Sequence, residues 1–125
     1  MKIVGKINLS KFETISCDIK TNEVIITDKQ IAHIKENHPG DYESYNKYIP
    51  QILDKPDYIL NANMPFSAVL LKAFLENDKK FQLVLRLKTS NDPEEYINSV
   101  ITFFKISTKR YNRYINSGKI IYKSE

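Results

Sequence analysis

The sequence has a single cysteine, Cys17, and no long hydrophobic run. One thiol can form no internal disulfide and cannot by itself build a thiolate metal site. The longest apolar runs, such as AVLL and VITFF, are far shorter than the roughly 20 residues that a membrane-spanning helix needs, and no apolar signal core follows Met1. These features exclude disulfide-stabilised and membrane-spanning proteins, and they predict a soluble, cytoplasmic protein with no membrane partner.

Acidic residues are scarce at one end of the chain. Between residues 99 and 125 there are six basic residues and one acidic residue, Glu125, so this segment carries a charge of +5. The whole chain carries +4, and the first 98 residues therefore sum to −1. A positive excess confined to one segment is typical of a phosphate-binding surface, although a solvated face would give the same composition. The charge favours an anionic partner without identifying it.

Neither repeats nor linkers interrupt the chain, so we predict one domain over residues 1–125. Residues 1–26 contain short runs rich in β-branched residues, which predict a small N-terminal sheet. These runs are KIVGKINL, FETISCDI and EVIIT. After Pro56, four further runs joined by turn-forming connectors predict a four-stranded antiparallel meander. They are DYILNAN, SAVLLKAFLE, KFQLVLRLK and SVITFFKIS.

Two helices are predicted between these groups of strands. Thr27 offers a hydroxyl N-cap, and Gln30 follows three residues later, which is the pairing expected where a helix begins. That helix should end near His38, because Pro39 disfavours helical geometry in the residue before it. The apolar spacing in DYESYNKYIPQILD predicts a second helix over residues 41–54.

The segment after the meander predicts one more helix and one more strand. STKRYNRYINSG should form a short helix capped by Ser107 or Thr108 and terminated by Gly118. KIIYK should then close the sheet as a last strand. The sequence therefore predicts an α+β fold, in which the helices pack on one face of an antiparallel sheet.

Both histidines lie in HIKENHP, residues 33–39. They are five positions apart, which places them about 140° from each other around an α-helix, whereas a helical zinc pair needs a spacing of four. No HExxH motif, cysteine pair or acidic cluster lies nearby to complete a metal shell. We therefore predict no metal site and no cofactor.

The same helical geometry separates the two histidines. His38 lies nearly in line with Ile31 and Ile34, whereas His33 lies on the far side with Asn37. His38 should therefore be the less exposed of the two. It also ends the helix, where backbone carbonyls stabilise a protonated ring. Proton transfer and simple helix capping both fit that position.

Two of the meander strands carry polar residues on a face that should be open to solvent. Alternation in KFQLVLRLK places Arg86 and Lys88 on that face. A guanidinium on a rigid strand can bind two phosphate oxygens, although a surface arginine would show the same pattern. In SVITFFKIS, alternation puts Ser99 with Lys105 and turns Thr102 the other way, but a bulge would reverse this. The phase of this strand stays open.

The predicted C-terminal helix interleaves basic and aromatic residues. Its outer faces carry Lys109, Arg110 and Arg113, which are interleaved with Tyr111 and Tyr114. Such basic residues can follow a phosphate backbone while tyrosines stack on bases. Tyrosines at helical spacing are also typical of a core.

Taken together, these motifs resemble a phage-associated group within the barnase, EndoU, colicin and RelE-like (BECR-fold) nuclease superfamily. The resemblance spans roughly residues 24–123, and it marks residues 27–123 as a nuclease-like domain. The motifs that carry it are HIKENHP, PDYI, QLVLRLKTSND, NSVITFFKIS, KRYNRY and KIIYK.

The resemblance implies a metal-independent RNase, with its active site on the exposed face of a four-stranded antiparallel sheet. Nucleases of this kind attack the adjacent phosphate with the ribose 2′-hydroxyl and leave a cyclic phosphate. Carried over position by position, the resemblance marks His33, His38, Arg86, Ser99, Thr102, Lys105 and Lys109.

Our hypothesis assigns a role to each of these residues. His38 transfers the proton, His33 is its partner or contacts RNA, Arg86 and Lys105 bind phosphate, and Ser99 or Thr102 hydrogen-bonds to the phosphate. Further substrate contacts are expected from Lys88, Lys109, Arg110, Tyr111 and Arg113. The hypothesis requires that the end of the first helix and the open face of the sheet meet in one cationic pocket.

The expected partners are RNA, with tRNA as one candidate, and a neutralising immunity protein. Two other functions fit the same sequence. One is a nucleic-acid-binding module with this fold and no cleavage, and the other is an interaction protein whose charge is incidental.

Overall fold

The structure is a computed structural model that describes residues 2–124. Its strands are β1 (Lys2–Lys6), β2 (Glu23–Ile26), β3 (Tyr58–Asn61), β4 (Ser67–Phe74), β5 (Lys79–Arg86), β6 (Asn98–Ile106) and β7 (Ile120–Lys123). Its α-helices are α1 (Asp28–Asn37), α2 (Asp41–Tyr45), α3 (Ile49–Asp54) and α4 (Thr108–Ile115). Within residues 2–124, no helix is long and apolar enough to cross a membrane.

One mixed sheet contains all seven of these strands, in the order β1-β2-β6-β5-β4-β3-β7. The predicted meander forms its centre, because β3, β4, β5 and β6 pair antiparallel in sequence order. β7 adds to β3, and β2 adds to β6 in parallel. The side chain of Asn98, at the start of β6, fastens this parallel contact by donating to the carbonyls of Thr21 and Glu23. The prediction of a separate N-terminal sheet was therefore wrong, and the α+β class holds.

Two predicted elements differ in the structure. FETISCDI does not form a regular strand, because Asn8 caps a 3₁₀ helix (Leu9–Phe12) that buries Phe12 completely. The helix predicted over residues 41–54 is divided into α2, a 3₁₀ turn and α3. Pro50 explains this break, since proline has no amide hydrogen for an interior helical bond but suits the first turn of a new helix.

The sheet is covered on both faces. One face packs against α1, α2 and α3 through residues such as Ile34, Phe81 and Leu83. The other packs against α4 through a smaller cluster that includes Leu71 and Tyr111. The prediction that the helices pack on one face was therefore wrong for α4. Because α4 is short, part of its face of the sheet stays open beside it.

A bulge in β6 settles the phase that the sequence left open. Val84 pairs with Thr102, but the next residue of β5, Leu85, pairs with Val100, so one extra residue is inserted between them. Ser99 and Thr102 consequently face the same side as α4. Lys105 instead pairs with Phe81, a core residue beneath α1–α3, and this places Lys105 on the opposite face from Arg86.

Candidate active site

His38 lies where α1 ends at the edge of the sheet. Ile34 anchors α1 in the core, and the backbone amide of His38 donates the last helical bond to the Ile34 carbonyl, at 2.8 Å. β2 covers β6 only at Asn98 and Ser99, so the end of α1 can reach round the remaining edge of β6. There the imidazole of His38 stacks on the ring of Phe104, with 3.7 Å between the ring centroids and 12° between the planes.

Arg110 brings a positive charge to the same ring. Its guanidinium carbon lies 5.5 Å from the centre of the Phe104 ring. Arg110 is in the first turn of α4. Ser107 caps this turn, because its hydroxyl oxygen accepts a hydrogen bond from the backbone amide of Arg110 at 3.1 Å. The end of α1 thus meets the α4 face of the sheet, and the cation at this point is Arg110 rather than the expected Arg86.

A buried glutamine on β5 holds Arg110 in place. The Oε1 atom of Gln82 accepts hydrogen bonds from Nε of Arg110 and from the hydroxyl of Tyr114, each at 3.0 Å. Gln82 is only 4% exposed, so its carbonyl oxygen gives these donors a fixed target that water cannot easily replace. We call these five residues, His38, Phe104, Arg110, Gln82 and Tyr114, the His38 cluster.

The His38 cluster combines a free imidazole with a partly engaged guanidinium. Stacking orients the His38 ring through its faces, and among residues 2–124 neither of its ring nitrogens takes part in a hydrogen bond. Both nitrogens can therefore exchange a proton with a bound molecule. The Nε atom of Arg110 is bound to Gln82, and one terminal nitrogen lies 3.5 Å from the Tyr114 hydroxyl. Arg110 is exposed, and its other terminal nitrogen can bind an anion.

Arg86 lies on the same face but is already paired. Gln82 is four residues from Arg86 on β5, a separation of roughly 13 Å along a strand. Both terminal nitrogens of Arg86 contact the carboxylate of Asp92, at 2.9 and 3.3 Å, and one also donates to the Leu87 carbonyl. The guanidinium lies over the rings of Phe66 and Tyr96, 5.5 Å from each centre. These contacts give Arg86 a well-defined position and leave little of its donor fork free.

The contacts of Asp92 also lower the pKa of its carboxyl group. The backbone amide of Thr89 donates to it at 2.8 Å and is the main reason that the pKa of Asp92 lies below its usual value. Arg86 lowers the pKa of Asp92 further, against the opposing effect of burial. The Arg86–Asp92 pair is therefore charged at neutral pH, and it joins the end of β5 to the loop that leads to β6.

The two predicted hydroxyls differ in access. Ser99 is 6% exposed, and its hydroxyl lies 3.1 Å from that of Tyr96. Thr102 is half-buried and lies between Ser99 and Phe104 on the open part of the face. Of the two, Thr102 is the better placed to meet a molecule bound at the His38 cluster.

The other predicted site residues lie away from the His38 cluster. His33 is exposed on α1, as predicted, and His38 is the less exposed histidine. Lys105 is exposed beside α2, where its backbone amide donates to Asp41 at 3.0 Å. The ammonium group of Lys88 donates to the carbonyl of Glu94, in the loop before β6. Lys109 and Arg113 are exposed on α4.

Tyr111 is a core residue. It is 8% exposed and packs edge-on against Tyr58, with 6.0 Å between the ring centroids. Burial raises the pKa of Tyr111 to about 12. The prediction that Tyr111 contacts substrate is therefore wrong, because its ring is turned into the space between α4 and the sheet.

Sequence reasoning did not select Phe104 or Gln82. Phe104 resembles any core aromatic in VITFF, and only the bulge puts it on the α4 face. In the sequence, Gln82 stands out only as a polar residue that alternates onto the same face of its strand as Arg86. Within residues 2–124, no group of three or more His, Cys, Asp or Glu side chains is arranged to hold a metal ion.

Comparison with known proteins gives a family for this chain. Residues 1–123 match the family described as phage-Barnase-EndoU-ColicinE5/D-RelE like nuclease2. No curated protein and no solved structure matches the chain. The family match covers nearly the whole sequence and includes β1, which lies outside the range of the resemblance. The chain belongs to the phage-Barnase-EndoU-ColicinE5/D-RelE like nuclease2 family.

Proposed function

We propose that the protein is a metal-independent RNA endonuclease, in which His38 transfers the proton and Arg110 binds the scissile phosphate. One observation carries this proposal: the imidazole of His38 and the guanidinium of Arg110 lie against the same phenyl ring, that of Phe104. A proton-transfer group and a cation are the pair that cleavage of a ribose-phosphate link requires.

The reaction proceeds by attack of the ribose 2′-oxygen on the adjacent phosphorus. The neutral imidazole of His38 takes the 2′-hydroxyl proton as the new P–O bond forms, and Arg110 stabilises the negative charge that builds on the phosphate oxygens. The bond to the 5′-oxygen then breaks, and that oxygen needs a proton. In an in-line displacement this oxygen leaves on the side opposite the 2′-oxygen, so it takes its proton from water, and the imidazolium of His38 then releases its own proton to water. The products are a 2′,3′-cyclic phosphate and a 5′-hydroxyl.

Other residues complete the proposed site. The hydroxyl of Thr102 can donate to a non-bridging phosphate oxygen, and exposed Lys109 and Arg113 attract the flanking phosphates. His33 is assigned to RNA contact rather than proton transfer, because it lies on the far side of α1. Arg86 and Ser99 support the adjacent surface, through Asp92 and Tyr96 respectively.

Incubation of purified protein with tRNA and with total RNA in the presence of EDTA tests the proposal. We expect fragments with 2′,3′-cyclic phosphate and 5′-hydroxyl ends, and no cleavage of DNA of the same sequence. Loss of all cleavage in EDTA would overturn metal independence. Toxicity on expression, relieved by a neutralising immunity protein, would agree with a toxin-like role.

A second candidate is a nucleic-acid-binding module without cleavage. The Arg86–Asp92 pair favours it, since the strand arginine expected to bind phosphate is already neutralised by a carboxylate at 2.9 Å. This candidate predicts RNA binding that weakens as salt rises and produces no fragments. The same incubation, followed by a binding assay at two salt concentrations, separates the two functions.

A further inference from the structure

A cavity of about 480 Å³ opens on the α4 face next to the His38 cluster. Arg110 and Tyr114 belong to both, so the cavity begins where the cluster ends. Its floor is apolar and is formed by Leu60, Val69 and Val84 on three adjacent strands. Its volume lies within the range typical of small-molecule sites in proteins.

The walls of the cavity are positively charged. Arg110 and Arg113 on α4 and Lys119 before β7 line it, and none of its lining residues is acidic. The chain as a whole has 15 acidic residues against 19 basic ones. A lining with three cations and no carboxylate is therefore more basic than the chain as a whole. Such a lining attracts an anion.

The side of the cavity opposite α4 carries neutral polar groups. The connection between β3 and β4 contributes the amide side chain of Asn63, which is exposed at the rim. Asn61, the last residue of β3, also lines the cavity, but it pairs with the core residue Ala68, so its side chain is directed to the opposite face of the sheet. Asn63 lies across from Lys119, whose ammonium group is 3.5 Å from its Oδ1 atom. Side-chain amides present a donor and an acceptor together, which is the combination that base edges require.

We propose that this cavity is a base pocket, which receives one unpaired nucleobase of the RNA while Arg110 and Arg113 bind the phosphates on either side. This inference rests on the proposed function. The apolar floor suits the face of a base, the side-chain amide of Asn63 suits its edge, and the cations suit the backbone. A single chain crossing from the base pocket to His38 would place its phosphate beside Arg110, which the two sites share.

The base pocket implies a preference for single-stranded RNA. A base must leave its helical stack to reach the floor of the cavity, and this costs least in loops, bulges and ends. We therefore expect cleavage in unpaired segments and protection when a complementary strand is annealed.

Titration of ¹⁵N-labelled protein with nucleoside monophosphates tests the base pocket without any turnover. We expect AMP or UMP to shift the backbone amide signals of Ala62, Asn63, Ser117 and Lys119. Ribose 5-phosphate is the second arm, because it offers the anion without the base. Nucleotides should bind at least several-fold more tightly than ribose 5-phosphate. Equal affinities would reduce the cavity to an anion site and overturn the proposal, as would shifts confined to other surfaces.

Two variants and one control sharpen the result. Arg113→Ala should weaken nucleotide binding roughly tenfold, the typical loss for one charge-assisted contact. Val84→Phe should fill the space above the floor and weaken nucleotide binding. If Val84→Phe folds poorly, Arg113→Ala still tests the pocket. Lys29→Ala removes the same charge from an exposed position on α1 and should leave binding unchanged. An Arg113→Ala variant that binds like the wild type would contradict the pocket.

The same titration in His38→Ala separates the pocket from the catalytic proposal. Nucleotide binding should persist in this variant while cleavage is lost. If the wild type binds nucleotides in the cavity but cleaves no RNA, the proposed endonuclease fails and the pocket stands. If the wild type cleaves RNA but nucleotides do not shift the signals of the pocket residues, the base pocket fails and the proposed endonuclease stands.

Discussion

The imidazole of His38 lies nearly parallel to the ring of Phe104, with the two centroids 3.7 Å apart. This contact joins the end of a helix on one face of the sheet to a strand residue on the other. It orients the imidazole without using either ring nitrogen, and Arg110 brings a cation to the same ring. The proposed chemistry depends on this arrangement.

Replacing His38 tests its role in proton transfer. His38→Ala should lower the rate of RNA cleavage by about 10² to 10⁴, the usual contribution of a positioned acid–base group. RNA binding should change little, because the surrounding cations remain. The measurement is single-turnover cleavage at saturating protein, together with RNA affinity.

His33→Ala is the comparison variant for that experiment. His33 is exposed on the far side of α1, so its loss should lower cleavage less than tenfold, as expected for one surface contact to RNA. A His33→Ala variant as impaired as His38→Ala would show that both histidines transfer protons. That outcome would contradict the separation of roles proposed here.

Phe104 is predicted to be a positioning residue for His38. Phe104→Leu keeps an apolar side chain but removes the flat surface on which the imidazole stacks. Because small misplacements of a catalytic group are costly, kcat should fall by on the order of 10 to 10², while KM should change much less. Phe104→Tyr keeps the stacking surface and should retain most of the activity. A large rise in KM with unchanged kcat in Phe104→Leu would point to substrate contact instead.

Arg86 and Asp92 are predicted to stabilise the fold as a coupled pair. Arg86→Ala leaves a half-buried carboxylate without its partner, so the free energy of unfolding should fall by about 1–3 kcal/mol. In an Asp92→Ala background the same change should cost much less, because the partner is already gone. Urea denaturation of the four proteins measures this coupling. Additive losses would show that the two side chains do not depend on each other.

Stability should fall with acid because two aspartates are held ionised in the folded state. The Ser90 hydroxyl, with Lys20, lowers the pKa of Asp18 to about 2, and Thr89 with Arg86 lowers that of Asp92. A lowered native pKa adds stability above the unfolded value of about 3.9, and that stability is lost as the pH falls through the native pKa. Urea midpoints between pH 5 and pH 2 measure the loss.

Asp18→Asn and Asp92→Asn are the matched variants for the acid titration. Each removes one carboxylate whose ionisation favours folding, so each should be less stable than the wild type at pH 7. The difference from the wild type should shrink toward pH 2. A constant difference across this range would contradict the proposed linkage.

Much of the fold could be predicted because local patterns and tertiary packing agree. The hydroxyl caps at Thr27 and Ser107 accept the amides of Gln30 and Arg110 as expected, and Gly118 has the positive φ of +77° that suits a residue just after a helix. The four meander strands follow the predicted runs within a few residues. The assignment of 1–26 and 27–123 as separate parts stays a prediction.

The errors arose where long-range packing decides. Nothing local in TKRYNRYI shows which face of the sheet α4 will cover, and that choice buries Tyr111 and exposes Arg110. The extra residue in β6 reverses the alternation that would otherwise separate Ser99 from Thr102. Arg86 was singled out as an unusual strand arginine, but its partner Asp92 lies in a loop six residues later, where the sequence shows no pairing signal.

The most direct test of the central claim uses a DNA oligonucleotide that contains one ribonucleotide. Attack by a 2′-oxygen can occur only at that position, so wild-type protein in EDTA should cut there alone and leave a 2′,3′-cyclic phosphate. His38→Ala should leave the oligonucleotide intact over the same period. Cleavage at deoxynucleotide positions, a 5′-phosphate end, or full activity in His38→Ala would contradict the account.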